Sequence, residues 1–187
     1  MPAKVAALAH RERARSLIPE FSDPHALVRA IQHRLTTGRG ALVAIDGHST
    51  SGKTYLSEIL SDLDQSVALG TDAYADPSRR SGNYPDRLDL KKLAVDLANL
   101  TKARPRTYIE GICLRDTLAR LRLTASLFVY CKRISQAGLW PDDPENYLTG
   151  DGQPSNDLSW VDRQSVEYHL RAHPLEHADF VFLRQED

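Results

Sequence analysis

The chain alternates between two hydrophobic patterns. Behind Asp23-Pro24, Leu27, Ile31 and Leu35 recur every four residues, which predicts a helix capped by Asp23 and stopped at Gly38. Ala41 to Ile45 is then apolar without a break and ends in Asp46-Gly47. A run that is apolar on both faces suits a central strand covered by helices on each side. The pattern predicts further helices over residues 53 to about 63, 88–100, 115–122 and about 159–172. The 88–100 helix carries a stripe of Leu90, Leu93, Leu97 and Leu100. Between the helices, strands are expected at 67–69, 107–112, 126–131 and 180–183. Ser159-x-x-Asp162 resembles a capping box, and Pro174 ends the helix it opens. Strands alternating with helices imply right-handed crossovers and an open, doubly wound α/β sheet of about five mostly parallel strands.

Composition narrows the class. A chain of 187 residues fits a single domain spanning 1–187, with 1–22 as an N-terminal extension. Lys plus Arg number 24 against 25 Asp plus Glu, so no sequence-wide basic field exists for nucleic acid or an anionic membrane. No apolar run approaches the roughly 20 residues of a spanning helix. Two cysteines make no disulfide framework, and the start of the chain has no signal-type apolar region, so a cytoplasmic location is expected. The Ala- and Arg-rich first twenty residues read as a surface helix or as a transit peptide.

Gly47-His48-Ser49-Thr50-Ser51-Gly52-Lys53-Thr54 matches G-x-x-x-x-G-K-[ST] at every fixed position, after a predicted strand and before a predicted helix. The glycines allow a tight path that turns backbone N–H groups toward phosphate oxygens. The helix N-terminus and Lys53 add positive charge, and Thr54 offers a hydroxyl to Mg²⁺. Gly47 to Thr54, followed by Tyr55, are therefore the candidate nucleotide-binding residues. Asp46, Asp72 and Glu110 all fall at the carboxyl ends of predicted strands, where open α/β sheets bind ligands. Carboxylates there can organise Mg²⁺ or take a proton from an attacking hydroxyl. Taken alone, Asp46 or Asp72 reads better as a turn cap, but three acids converging on one edge favour the functional reading.

Four segments, Gly47 to Thr54, Gly70-Thr71-Asp72-Ala73-Tyr74, Asn83-Tyr84-Pro85-Asp86 and Tyr108-Ile109-Glu110-Gly111-Ile112, together resemble the uridine kinase and phosphoribulokinase-like group of P-loop kinases. Ala178-Asp179-Phe180-Val181 is similar to that group's last strand, and Asp46 to a residue of cytidylate kinases. The resemblance implies a P-loop NTPase fold, ATP as donor with Mg²⁺, and a small-molecule hydroxyl acceptor. It assigns Lys53, Asp72 and Glu110 as catalytic, with Asp72 as base, and Thr54, Asp72 and Glu110 as metal-organising. Tyr74 aligns with an aromatic residue near the acceptor, or packs in the core. The short link Leu100 to Arg106 leaves no room for the group's nucleoside-binding hairpin, so uridine is not the expected acceptor.

Residues 134–160 contain six prolines or glycines after Ala137 and five acids, Asp142, Asp143, Glu145, Asp151 and Asp157, with no Lys or Arg. They are expected to form a long lid or substrate loop pinned by Trp140 and Trp160. Cations for the transferring phosphate would come from its flanks: Arg133 above all, then Lys132, Arg163 and Arg171. The acids read either as a solvated surface or as a filter favouring neutral or cationic acceptors. His169, His173 and His177 recur at a spacing that suits a metal but are interrupted by Pro174. Cys113 and Cys131 read as core. The leading expectation is an ATP-dependent small-molecule kinase. The alternative is a nucleotide-binding regulatory switch derived from a kinase.

Overall fold

The computed structural model describes residues 17–36, 40–79 and 81–186. Gly38 and the first sixteen residues lie outside them. The described chain runs β1 (Glu20–Phe21), α1 (Pro24–Arg34), β2 (Ala41–Asp46), α2 (Lys53–Leu63), β3 (Val67–Gly70), α3 (Leu90–Ala103), β4 (Arg106–Glu110), α4 (Leu114–Leu121), β5 (Leu127–Ile134), α5 (Trp160–Ala172) and β6 (Phe180–Gln185).

The six strands form one sheet in the order β1-β6-β5-β2-β4-β3, and every pairing is parallel. The expected count of about five becomes six through Glu20–Phe21, which pairs with β6 at the sheet edge. A two-residue strand has no periodicity to read. It is fixed instead by the Val181 amide donating to Pro19 O at 3.0 Å and by Phe21 edge-on to Phe180 at 5.4 Å.

Alternation along β2 explains its unbroken apolar run. Val43 and Ile45 face a core shared with Leu27 and Ile31 of α1 and Leu56 and Leu60 of α2. Leu42 and Ala44 face the other way, onto Leu93 and Leu97 of α3 and Leu114 and Leu118 of α4. The sheet is thus covered on both faces, and burying each such Leu or Ile contributes about 1.5–3 kcal/mol. Asp23 caps α1 by accepting from the His25 and Ala26 amides at 2.9 and 3.2 Å. Ser159 caps α5 by accepting from the Asp162 amide at 3.1 Å, and His173 closes it in a left-handed conformation just before Pro174. No helix among the described residues is long and apolar enough to cross a membrane.

Because all strands run the same way, Asp46, Gly70, Glu110 and Arg184 reach one edge of the sheet. β2 lies between β5 and β4, where the chain's connections diverge to either side. This is the switch point at which open α/β sheets leave a crevice.

Candidate functional site

The loop between β2 and α2 is wound tightly at this crevice. Thr50 and Gly52 take positive φ, 65° and 96°. A Cβ on Gly47 would lie 2.5 Å from Cys131 O, so the loop and β5 pack at glycine distance. No side chain caps the N-terminus of α2, and its first turn holds no acid. Its leading N–H groups and positive dipole end therefore face the crevice free to meet an anion. Lys53 is buried, and its Nζ donates to His48 O at 2.6 Å, curling over the loop it belongs to. These features fit nucleotide phosphates.

Thr54 Oγ1 donates to Glu110 Oε1 at 3.1 Å, joining the first turn of α2 to the end of β4. Burial raises the Glu110 carboxyl above its ordinary value, against the pull of nearby Lys53. A buried carboxylate beside a hydroxyl is a hard oxygen donor set that suits Mg²⁺. Asp72 follows β3 in a short 3-10 turn, and Tyr84 donates to its Oδ1. The Tyr84 hydroxyl also lies 3.1 Å from Thr71 Oγ1. Two close approaches hold these turns together. A Cβ on Gly70 would sit 2.6 Å from Glu110 Oε1, and one on Gly111 would sit 2.0 Å from Thr71 Oγ1.

A cavity of about 390 Å³ opens over the loop. Of the predicted nucleotide-binding residues, Ser49, Thr50, Gly52, Lys53, Thr54 and Tyr55 line it, and so do Asp72 and Glu110. Gly47, His48 and Ser51 shape the loop from beneath without lining the cavity. His48 is buried with its ring stacked on Tyr147 at 5.0 Å. Asp46 does not line it either. Its carboxylate accepts from the Gly47 amide at 2.8 Å and from the Tyr168 hydroxyl, and burial pushes it up to about 6.

The structure does not bring Arg133 to the cavity. Its guanidinium is held by Asp142 on both oxygens and by Glu186 at 3.1 Å. Besides Lys53, the cation that lines the cavity is Arg184, whose Nη1 donates to Thr50 O at 3.4 Å and whose side chain covers Gly52. Sequence reasoning missed it because the last strand was expected to stop at Leu183. Extended to Gln185, that strand carries Arg184 to the ligand edge. Lys132 lies over the Trp140 ring, Arg163 donates to Ser155 O, and Arg171 pairs with Asp116. None of the three lines the cavity. Tyr74 packs in the core with Leu93 and Leu97 and donates to Asp96 at 2.8 Å. His169 is buried against His48, Tyr130 and Tyr168, while His173 caps α5 and His177 gives its carbonyl to Arg115. Both cysteines are buried.

Residues 134–160 are folded rather than a bare acidic loop. Asp142 is buried against Arg133, Pro144–Tyr147 forms a 3-10 turn, and Leu148 bridges to Pro154. A second cavity, of about 420 Å³, lies on the far side of Asp72. It shares Asp72 and Val161 with the first.

No family model matches the chain. No curated protein matches it either. Among solved structures, one described as a possible uridine kinase from Bacillus stearothermophilus is similar over 85% of this chain and 96% of its own. The TM-score is 0.56 and the sequence identity 20%. That likeness shows the fold: an α/β sheet of the P-loop kinase-like kind.

Proposed function

We propose that the chain is an ATP-dependent kinase transferring the γ-phosphoryl group to the hydroxyl of a small molecule. The observation that carries this reading is the pair of cavities meeting at Asp72. One lies over the phosphate loop, and the other is large enough for an acceptor. The rival reading, a nucleotide-bound switch without an acceptor site, calls for a filled surface there.

In this reading the loop amides and the α2 N-terminus hold the β- and γ-phosphates, and Lys53 leaves His48 O for a phosphate oxygen. Thr54 and Glu110 would hold Mg²⁺, which would offset the negative charge of the phosphates. Asp72 takes the acceptor's proton as the new P–O bond forms and the bond to ADP breaks. Tyr84 fixes one carboxylate oxygen, so the other is presented for that proton. Two residues separate Ala103 from Arg106, which leaves no room for a nucleoside-binding hairpin between α3 and β4 and supports an acceptor other than uridine. The test is ADP production from Mg-ATP across a panel of nucleosides, sugars and amino alcohols. An acceptor that raises the rate supports the kinase. A flat panel with tight nucleotide binding favours the switch.

A further inference from the structure

Asp72 is not alone where the two cavities meet. Among the described residues, Asp72 and Val161 are the two that line both. Asp72 brings a carboxylate whose Oδ1 is already held by Tyr84. Val161 brings a side chain with no hydrogen-bonding atom. The junction therefore pairs one polar side chain with one apolar side chain.

Val161 reaches this place through its neighbours. Ser159 caps α5, so the helix starts at Trp160. The indole packs on the buried cluster of Tyr84, Leu88, Ile112, Cys113 and Tyr168, and Arg87 covers its face with Cζ 3.3 Å from the ring centroid. That anchor sets the next residue, Val161, at the crevice. Val161 belongs to none of the buried clusters and is 39% exposed, so core packing does not account for an apolar residue here. With Ile112 it is one of two aliphatic side chains lining the phosphate cavity.

Water is smaller and more abundant than any acceptor, and it competes for the same phosphorus. A water bonded to Asp72 gains no second hydrogen bond from Val161 and is free to turn. An alcohol gives its hydroxyl proton to the Asp72 hydrogen bond and rests its carbinol carbon on Val161, so it is held at two points.

We propose that Val161 is a specificity-determining residue that makes this site choose an alcohol over water as the attacking group. The inference rests on the kinase reading and adds what keeps the chain from acting as an ATPase. A hydroxyl at position 161 gives water its second anchor. Water then attacks the γ-phosphorus, Asp72 takes one of its protons, and the bond to the ADP oxygen breaks, releasing ADP and inorganic phosphate.

Phosphate release from Mg-ATP by the full chain without acceptor tests this. Val161→Thr keeps nearly the same shape while adding a hydroxyl, and it should raise the hydrolysis rate about fivefold or more. Val161→Ser should repeat the rise, whereas Val161→Ile should stay at or below the parent. Adding Asp72→Asn to Val161→Thr should abolish the gain. ADP affinity within about twofold of the parent shows that the phosphate loop is intact. Hydrolysis by the Thr and Ser variants no faster than the parent, an equal rise with Ile, or a rise that survives Asp72→Asn overturns the proposal. Acceptor phosphorylation by the parent keeps the two readings apart. Transfer to an acceptor with no effect of Val161→Thr on hydrolysis sinks this inference and leaves the kinase. An Asp72-dependent rise in hydrolysis while no acceptor is modified sinks the kinase and leaves Val161 as the barrier to water.

Discussion

Thr54 Oγ1 donates to Glu110 Oε1 at 3.1 Å, linking the phosphate-loop helix to the end of the strand beside it. If this pair organises Mg²⁺, Glu110→Gln lowers metal-dependent turnover by about 10–100-fold. It also raises the Mg²⁺ concentration needed for half-maximal rate. A titration of rate against Mg²⁺ checks this, and an unchanged midpoint removes Glu110 from the metal site.

Arg184 and Arg133 are expected to behave differently. Arg184→Ala takes a cation from the cavity and should weaken ADP binding about tenfold, the scale of one charged hydrogen bond. Arg133→Ala should leave ADP affinity within about twofold, because its partners are Asp142 and Glu186 rather than the cavity. It should instead lower the melting temperature, since Asp142 is left buried without its cation. Equal effects on nucleotide affinity contradict the assignment.

These two arginines show what was legible in the sequence. The phosphate loop could be read because its spacing, its preceding strand and its helix all point to one mechanism. Asp72 and Glu110 followed from strand ends, and the parallel sheet does bring them to Lys53 and Thr54 at one cavity. Arg133 also sits on a strand, but its fate was decided by a long-range pairing with Asp142 that no local pattern encodes. The same blindness applies to residues 134–160. Proline and glycine spacing reads as loop, whereas the stacking of Tyr147 on His48 and the burial of Asp142 are tertiary events. The second cavity could not be read at all, since it assembles the turn after β3, the 84–88 segment and the start of α5.

Two buried groups give stability opposite pH slopes. Asp46 rises from 3.8 to about 6 on folding through burial. The folded state thus binds the extra proton between those values, and stability falls as pH rises through them. Asp46→Asn removes this loss, so its stability relative to the parent should climb by on the order of 2–3 kcal/mol from pH 4 to pH 7. His169 is pushed from 6.5 down to about 3 by burial, so its contribution is present above 6.5 and lost as pH falls. His169→Gln should therefore gain relative to the parent on acidification. Urea unfolding across pH reads both difference curves, and two flat curves refute the account.

Gly111→Ala should be costly because its Cβ would fall 2.0 Å from Thr71 Oγ1, beside the hydroxyl of Tyr84 that holds Asp72. A loss of about 1–3 kcal/mol is expected, together with reduced turnover. Gly150→Ala meets nothing within 4 Å and serves as the control. It should change stability by less than about 0.5 kcal/mol. Urea denaturation of the two variants decides the matter; equal stability contradicts the close packing of β4 against the Asp72 turn.

The most direct measurement of the central claim is phosphoryl transfer itself, read by mass spectrometry of the acceptor after incubation with Mg-ATP. The parent chain should add one phosphoryl group to a hydroxyl acceptor. Asp72→Asn should lower that rate by about 10²–10⁴-fold while ADP binding is unchanged, as loss of a general base requires. An acceptor panel that stays unmodified, or an Asp72→Asn variant that transfers as fast as the parent, would contradict it.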